Sequence, residues 1–208
     1  MARATGPLMS FDASGTIAKS ITFSKWKGRN YVRRRVIPHN PNVASQIATR
    51  AMMRFLSEAW KPLGSTPKTS WNAAAEAQKI SPFNRFVQVN MREWTQFNPP
   101  SQAYPAARLH TPAIPSAMSA AAGVHEITGS VQLPTDANFW GLIIFLDTVT
   151  IVPARNNSAL VLPGVSNAYV YFTLSRIMPG TYKVNAAAFD DDGVLGPTLA
   201  ADCSVVVT

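Results

Sequence analysis

Five prolines fall within residues 98–117, "NPPSQAYPAARLHTPAIPSA". Each fixes φ and removes a backbone donor, so no helix survives that density. The stretch reads as an extended, semi-rigid spacer. It divides a chain of 208 residues, long enough for one large domain or two modest ones, into halves of different character. We place a first domain at 1–97, a Pro-rich linker at 98–109 and a second domain at 110–208.

Ahead of the prolines the pattern is mixed. "SGTIAKSITFSKW" is rich in β-branched residues, and "YVRRRVI" follows after a short turn with Gly28; residues 14–37 therefore read as a β-hairpin, stopped by Pro38 and "HNPN". Three helices are expected next. Asn40 can cap the first and Pro41 suits its opening turn, with Val43, Ile47, Ala51, Phe55 and Ala59 recurring every four residues. The second spans roughly 67–79, opened by Thr66 and Pro67. The third starts at Ser81-Pro82, with Phe83, Phe86, Val87, Met91 and Trp94 as its stripe.

Beyond the prolines the period changes to two. "HEITGSVQL", "FWGLIIFLDTV", "ALVLPGV", "AYVYFTLS", "TYKVNAAAFD" and "CSVVVT" are separated by turn clusters such as "PARNNS" and "DDDG". With a first strand near 111–119 this makes about seven strands, the pattern of an all-β sandwich. The fold class expected is an α+β N-terminal module, a β-hairpin plus about three helices, followed by an all-β immunoglobulin-like sandwich.

Charge follows the same division. Residues 1–103 hold fifteen Lys/Arg against four Asp/Glu, and residues 104–208 hold four against seven. The overall +8 is thus a basic half joined to a mildly acidic one, and the basic half should face phosphate, acidic lipid or an acidic protein surface. Cys203 is the sole cysteine, which excludes an internal disulfide and a multi-thiolate zinc site and fits assembly in a reducing cytoplasm. The N-terminus shows no apolar signal-peptide core, and "FWGLIIFL" (139–146) is too short to span a bilayer. A soluble protein with no membrane partner is expected.

Catalytic motifs are missing. There is no phosphate loop, no G-x-G-x-x-G, no H-E-x-x-H and no G-x-S-x-G. His39, His110 and His125 lie beside turns or among the prolines without metal-ligand spacing, and read as solvated loop residues. Asp190, Asp191 and Asp192 before Gly193 invite a calcium reading. Calcium takes six to eight oxygens, usually from alternating positions, and no bidentate Glu follows here; a solvated interstrand turn is preferred. Trp60, Trp71 and Trp94 read as helix core rather than base-stacking platforms. No catalytic residue, cofactor or metal is assigned, and the protein is not expected to be an enzyme.

Two resemblances add to this. "PGTYKVNAAAFDDDGVLGPTLAADCSVVVT" (179–208) resembles the last two strands of a fibronectin type III or related immunoglobulin-like domain, with Tyr182 opening a strand. Trp140 resembles the core tryptophan of an early strand in such domains. The hairpin "FSKWKGRNYVRRRVIPHNPN" with "SQIATRAMMRFLSEAW" and "SPFNRFVQVNMREW", about residues 6–97, resembles a module of tailed bacteriophages and prophages. That resemblance implies a virion structural protein assembled in the host cytoplasm.

The sharpest candidate site is the hairpin itself: Lys25, Trp26, Lys27, Arg29, Tyr31, Arg33, Arg34 and Arg35. Alternation puts Arg33 and Arg35 on one face with Tyr31, and Arg34 on the other between Val32 and Val36. Three accounts compete: a solvated edge strand, a nucleic-acid element, and a docking surface for an acidic protein partner. The last is preferred, since Arg, Trp and Tyr anchor protein interfaces and no DNA-binding motif accompanies them. The partners expected are other virion proteins (capsid, neck or tail) and further copies of the chain in a symmetric assembly. A head decoration or accessory head protein is the favoured position. A neck, tail or fibre-attachment protein and a DNA-binding or packaging accessory are the alternatives.

Overall fold

The computed structural model describes residues 2–3, 15–17, 20–37 and 43–208. The chain forms two compact units, residues 1–41 and 42–208.

The first unit is one antiparallel sheet built from β1 (Ala2–Arg3), β2 (Gly15–Ile17), β3 (Ile21–Trp26) and β4 (Arg29–Arg34), in the order β1-β4-β3-β2. The first arm of the expected hairpin is therefore two strands. The chain turns before β3, where the Ser20 amide donates to the Ile17 carbonyl at 3.0 Å.

The second unit opens with three helices: α1 (Ala44–Ala59), α2 (Ser65–Glu76) and α3 (Pro82–Thr95). Asn40 and Pro41, read as the start of α1, lie outside the described residues, as does His39; α1 follows Val43, whose side chain makes no capping bond. Its buried stripe is Ala48, Ala51, Met52, Phe55, Leu56 and Ala59, while Val43 and Ile47 of the expected stripe are exposed. Helix α2 begins and ends earlier than expected, after Gly64. Helix α3 starts as read: the Ser81 hydroxyl accepts from the Asn84 amide at 3.2 Å, and Pro82 occupies the first turn. No helix among the described residues is long and apolar enough to cross a membrane.

Eight strands follow: β5 (Ala117–Gly123), β6 (Glu126–Gln132), β7 (Phe139–Asp147), β8 (Ser158–Pro163), β9 (Tyr169–Ser175), β10 (Gly180–Asp190), β11 (Leu195–Thr198) and β12 (Cys203–Val207). They make an antiparallel β-sandwich. One sheet is β5-β6-β9; the other is β11-β10-β7-β8, with β12 also paired to β10. Seven of the strands lie at or near the expected segments, and β11 is the addition. At the start of β10 the Tyr182 hydroxyl donates to the Met178 carbonyl, four residues upstream, at 3.1 Å.

Two hydrophobic cores share the larger sheet. Between the sheets, Ile127, Val131, Phe172 and Leu174 meet Leu142, Ile144, Val184 and Val205. On the outer face, Ile143, Phe145, Val161, Ala187 and Phe189 pack with Met52, Phe55, Leu56, Phe86 and Trp94 from the helices. Strands β7 and β10 are covered on both faces, which explains their continuous apolar runs. Trp140 belongs to the helix side, not to the space between the sheets: its ring stands edge-on to Phe55 at 5.1 Å and to Phe189 at 6.0 Å. Trp71 and Trp94 are buried, as read, and Trp60 is half-buried against Phe86.

The helices thus share a core with the sandwich, and the compact unit begins at residue 42 rather than after the prolines. The physical reason is cover. An amphipathic stripe needs an apolar surface, and the outer face of the larger sheet supplies one. The proline stretch is a strap rather than a spacer. Pro99, Pro100 and Ser101 are buried. The Asn90 amide side chain bonds both the Ser101 amide (2.9 Å) and carbonyl (3.2 Å), and the Trp71 indole donates to the Gln102 carbonyl at 2.6 Å.

Candidate functional site

The basic residues sit on a tight hairpin. Trp26 pairs with Arg29, leaving Lys27 and Gly28 as the two turn residues, with φ of 48° and 76°. Positive φ at both positions is the type I′ pattern, whose twist matches that of the strands it joins. Gly28 adopts it without steric cost; Lys27 does not.

Register then sorts the side chains by face. Ile21 pairs with Arg34, Thr22 with Arg33, Phe23 with Val32, Ser24 with Tyr31 and Lys25 with Asn30; β2 adds Ile17 opposite Ile21 and Thr16 opposite Thr22. Directly opposed residues share a face. One face therefore carries Trp26, Arg29, Tyr31 and Arg33 among Thr16, Thr22 and Ser24. The other carries Ile17, Ile21, Phe23 and Val32, bracketed by Lys25 and Arg34. Lys27 occupies the turn. Arg35 extends the pairing past β4, its amide donating to the Ser20 carbonyl at 2.7 Å.

Six of the eight residues singled out from the sequence lie in strands of this sheet, with Lys27 in its turn and Arg35 just past β4, and Arg33 and Arg34 are on opposite faces as alternation requires. The sequence reading overlooked the apolar set on Arg34's face. Its signal was present in the alternation of "ITFS" against Val32, yet the arginines concealed it.

Cations and rings on this sheet are pre-arranged. The Lys27 ammonium lies 4.8 Å from the centre of the Trp26 ring, and the Arg33 guanidinium 6.0 Å from that of Tyr31. Both separations are within cation–π range. Trp26 is 65% exposed, and none of the described residues of this unit is buried. Charge is concentrated in the same segment. Residues 1–41 contain eight Lys/Arg and one Asp, a net +7, whereas residues 42–208 contain eleven Lys/Arg and ten Asp/Glu. The asymmetry read between chain halves belongs almost wholly to the first unit.

In the second unit, two of the acids that precede the strap are held by arginines. Glu58 pairs with Arg54 at 3.0 Å, and Glu93 with Arg108. The Asp190–Gly193 turn departs from the solvated turn expected. Asp190 is fully buried, its Oδ1 accepting from the Val194 amide at 2.7 Å. Burial pushes its carboxyl above the ordinary range against the pull of that amide, and Asp192 and Asp191 push it further. Burial and then Asp192 likewise raise Asp191. His110 reaches this turn, its Nδ1 2.7 Å from Asp192 Oδ2, and His125 Nδ1 lies 3.1 Å from the Ile177 carbonyl.

No protein-family model and no curated protein sequence matches this chain. Among solved structures it is similar to the FN1-FN3 domains of chicken CNTN1, at 19% identity and a TM-score of 0.37 over 46% of this chain and 32% of that one. The Clostridium perfringens spore cortex lytic enzyme SleM gives 15% identity and a TM-score of 0.37, over 51% of this chain and 31% of that one. A PKD domain of an M14-like peptidase from a Thermoplasmatales archaeon gives 16% and 0.32, over 46% of this chain and 95% of that one. The chain spans about a third of the first two structures. At these scores the likenesses bear on no question of function.

Proposed function

We propose that this chain is a non-enzymatic structural subunit of a tailed-phage virion, most consistent with a head decoration or accessory head protein, that docks through its basic N-terminal sheet on acidic protein surfaces. One observation carries the reading: a four-stranded sheet, within a unit of net charge +7, in which no described residue is buried. A sheet this small gains independent stability only when an apolar face is covered. Ile17, Ile21, Phe23 and Val32 offer such a face, with Lys25 and Arg34 at its rim. The opposite face presents Trp26, Arg29, Tyr31 and Arg33. Arginine's planar fork pairs with carboxylates in two bonds, and Trp and Tyr supply anchor area. Repetition on a symmetric particle would multiply weak contacts.

The second unit is read as the projecting part, an immunoglobulin-like domain of the fibronectin type III kind. Its three-plus-five strand arrangement supports this, as does the Tyr182–Met178 bond, which has the form of a tyrosine corner.

Quantitative protein analysis and imaging of purified particles test the proposal. The chain is expected at a fixed, symmetry-related copy number on the head; a position at the neck or tail would move the assignment there, and absence from particles would sink it. Arg33→Ala/Arg34→Ala/Arg35→Ala should abolish incorporation. A second class, DNA binding, is favoured by the Trp26–Lys27 and Tyr31–Arg33 pairs, which suit base stacking. DNA affinity that falls steeply with salt and is lost in the triple variant would replace the docking reading.

A further inference from the structure

The strap and the β10–β11 turn are fixed against each other on both sides of His110. The Gln102 amide donates to the Asp191 carbonyl at 2.8 Å. Gly193 lies so near the strap that a Cβ there would stand 3.2 Å from the Pro99 carbonyl oxygen, and one on Gly196 would stand 2.9 Å from that of Pro112. His110 is thereby delivered to the acidic turn 80 residues away. His110, Asp190 and Asp192 each offer one donor atom, all within 4.8 Å of one another.

A second observation is independent of that clustering. Asp190 is 0% exposed, and its Oδ2 has no hydrogen-bond partner, although Oδ1 accepts from Val194. A buried polar atom left without a partner is costly, and more so on a charged group. The His110–Asp192 contact does nothing for it. A cation among the three side chains would satisfy Oδ2, offset the repulsion between the aspartates and use the imidazole nitrogen as a ligand.

We propose that His110, Asp190 and Asp192 bind a single divalent cation of the zinc class, which clamps the strap to the β10–β11 turn. One imidazole nitrogen and two carboxylate oxygens are zinc ligands, held at roughly 2.0–2.2 Å, and a fourth tetrahedral position would take water. Donors at tetrahedral angles around one such ion stand about 3.3–3.6 Å apart, so a separation of up to 4.8 Å closes with roughly 1–1.5 Å of relative side-chain movement. Calcium, which takes six to eight oxygens, matches this donor set poorly. His110 is about half exposed, so the ion has a route from solvent. The clamp holds whether or not the first unit docks on a virion.

The test uses the full chain, stripped with chelator and titrated with zinc chloride by calorimetry, with Tm followed in parallel. One equivalent should bind saturably and raise Tm by about 5–10 °C at a hundredfold excess over Kd. His110→Gln and Asp192→Asn, both at solvent-accessible positions, should each weaken binding at least tenfold and remove the Tm shift while leaving the metal-free Tm within a few degrees. Cobalt substituted for zinc should give tetrahedral visible bands in the parent chain that Asp190→Asn alters. No saturable binding, or zinc binding unchanged in both surface variants, would overturn the site. Calcium binding that ignores His110→Gln would also overturn it.

Discussion

Strands β10 and β4 both break the simple apolar-in, polar-out alternation, in opposite directions. Along β10, Val184 and Ala186 face the other sheet while Ala187 and Phe189 face the helices, so both faces are apolar and both are covered. Along β4, Arg33 and Arg34 point to opposite faces, and no described residue of that unit is buried. The lesson is that a strand's two faces must be read separately, each as a statement about what covers it. Apolar on both sides implies two layers of cover within the chain. Apolar with a basic rim on one side and aromatic with basic on the other is the pattern on which the docking proposal rests.

The largest effect should come from breaking the double cover. Phe55 inserts from α1 against Trp140 and Phe189, and Phe55→Ala should destabilise the second unit by about 3–5 kcal/mol in denaturant unfolding. Next is Asn90→Ala, which leaves the amide and carbonyl of buried Ser101 without partners; a loss of about 2 kcal/mol is expected by the same measurement. Tyr182→Phe removes only the bond to Met178 and should cost about 1 kcal/mol. Smallest is the arginine triple variant at 33–35. Its effect on unfolding of the second unit should stay within ~0.5 kcal/mol, as for exposed substitutions generally. A large loss of stability there would erase the distinction between the covered strands of the sandwich and the exposed basic sheet.

Much of this was legible in the sequence, and the misses have identifiable causes. Helix stripes and most sandwich strands declared themselves by period, and Ser81-Pro82 opened α3 as written. Strand β11 was concealed because "LGPT" contains Gly196 and Pro197, residues that argue against a strand unless it lies at a sheet edge, where β11 runs. The proline strap was misread as a spacer because proline density excludes helix without saying whether the segment packs. Pro99 and Pro100 are buried. The run "FWGLIIFL" is apolar at consecutive positions, yet nothing local identifies the cover of its second face as helices that precede it by about 45 to 95 residues. At the basic sheet, charge picked out the eight residues and alternation the faces of Tyr31, Arg33 and Arg34, while pairing with β2 was needed to add Ile17 to the apolar set. The meeting of His110 with Asp192 is a product of tertiary structure alone, as neither neighbourhood has ligand spacing.

The order in which the outer core is made has a consequence for synthesis. Helix α1 leaves the ribosome first, whereas the sheet that covers it is complete only with β10. About 130 residues separate the two, which at roughly 5–20 residues per second is an interval of some 7–26 s. Throughout it Met52, Phe55 and Leu56 lack the sheet that later buries them. The half-made chain, not the finished one, is then the species most exposed to aggregation, and the speed of translation sets how long it stays so.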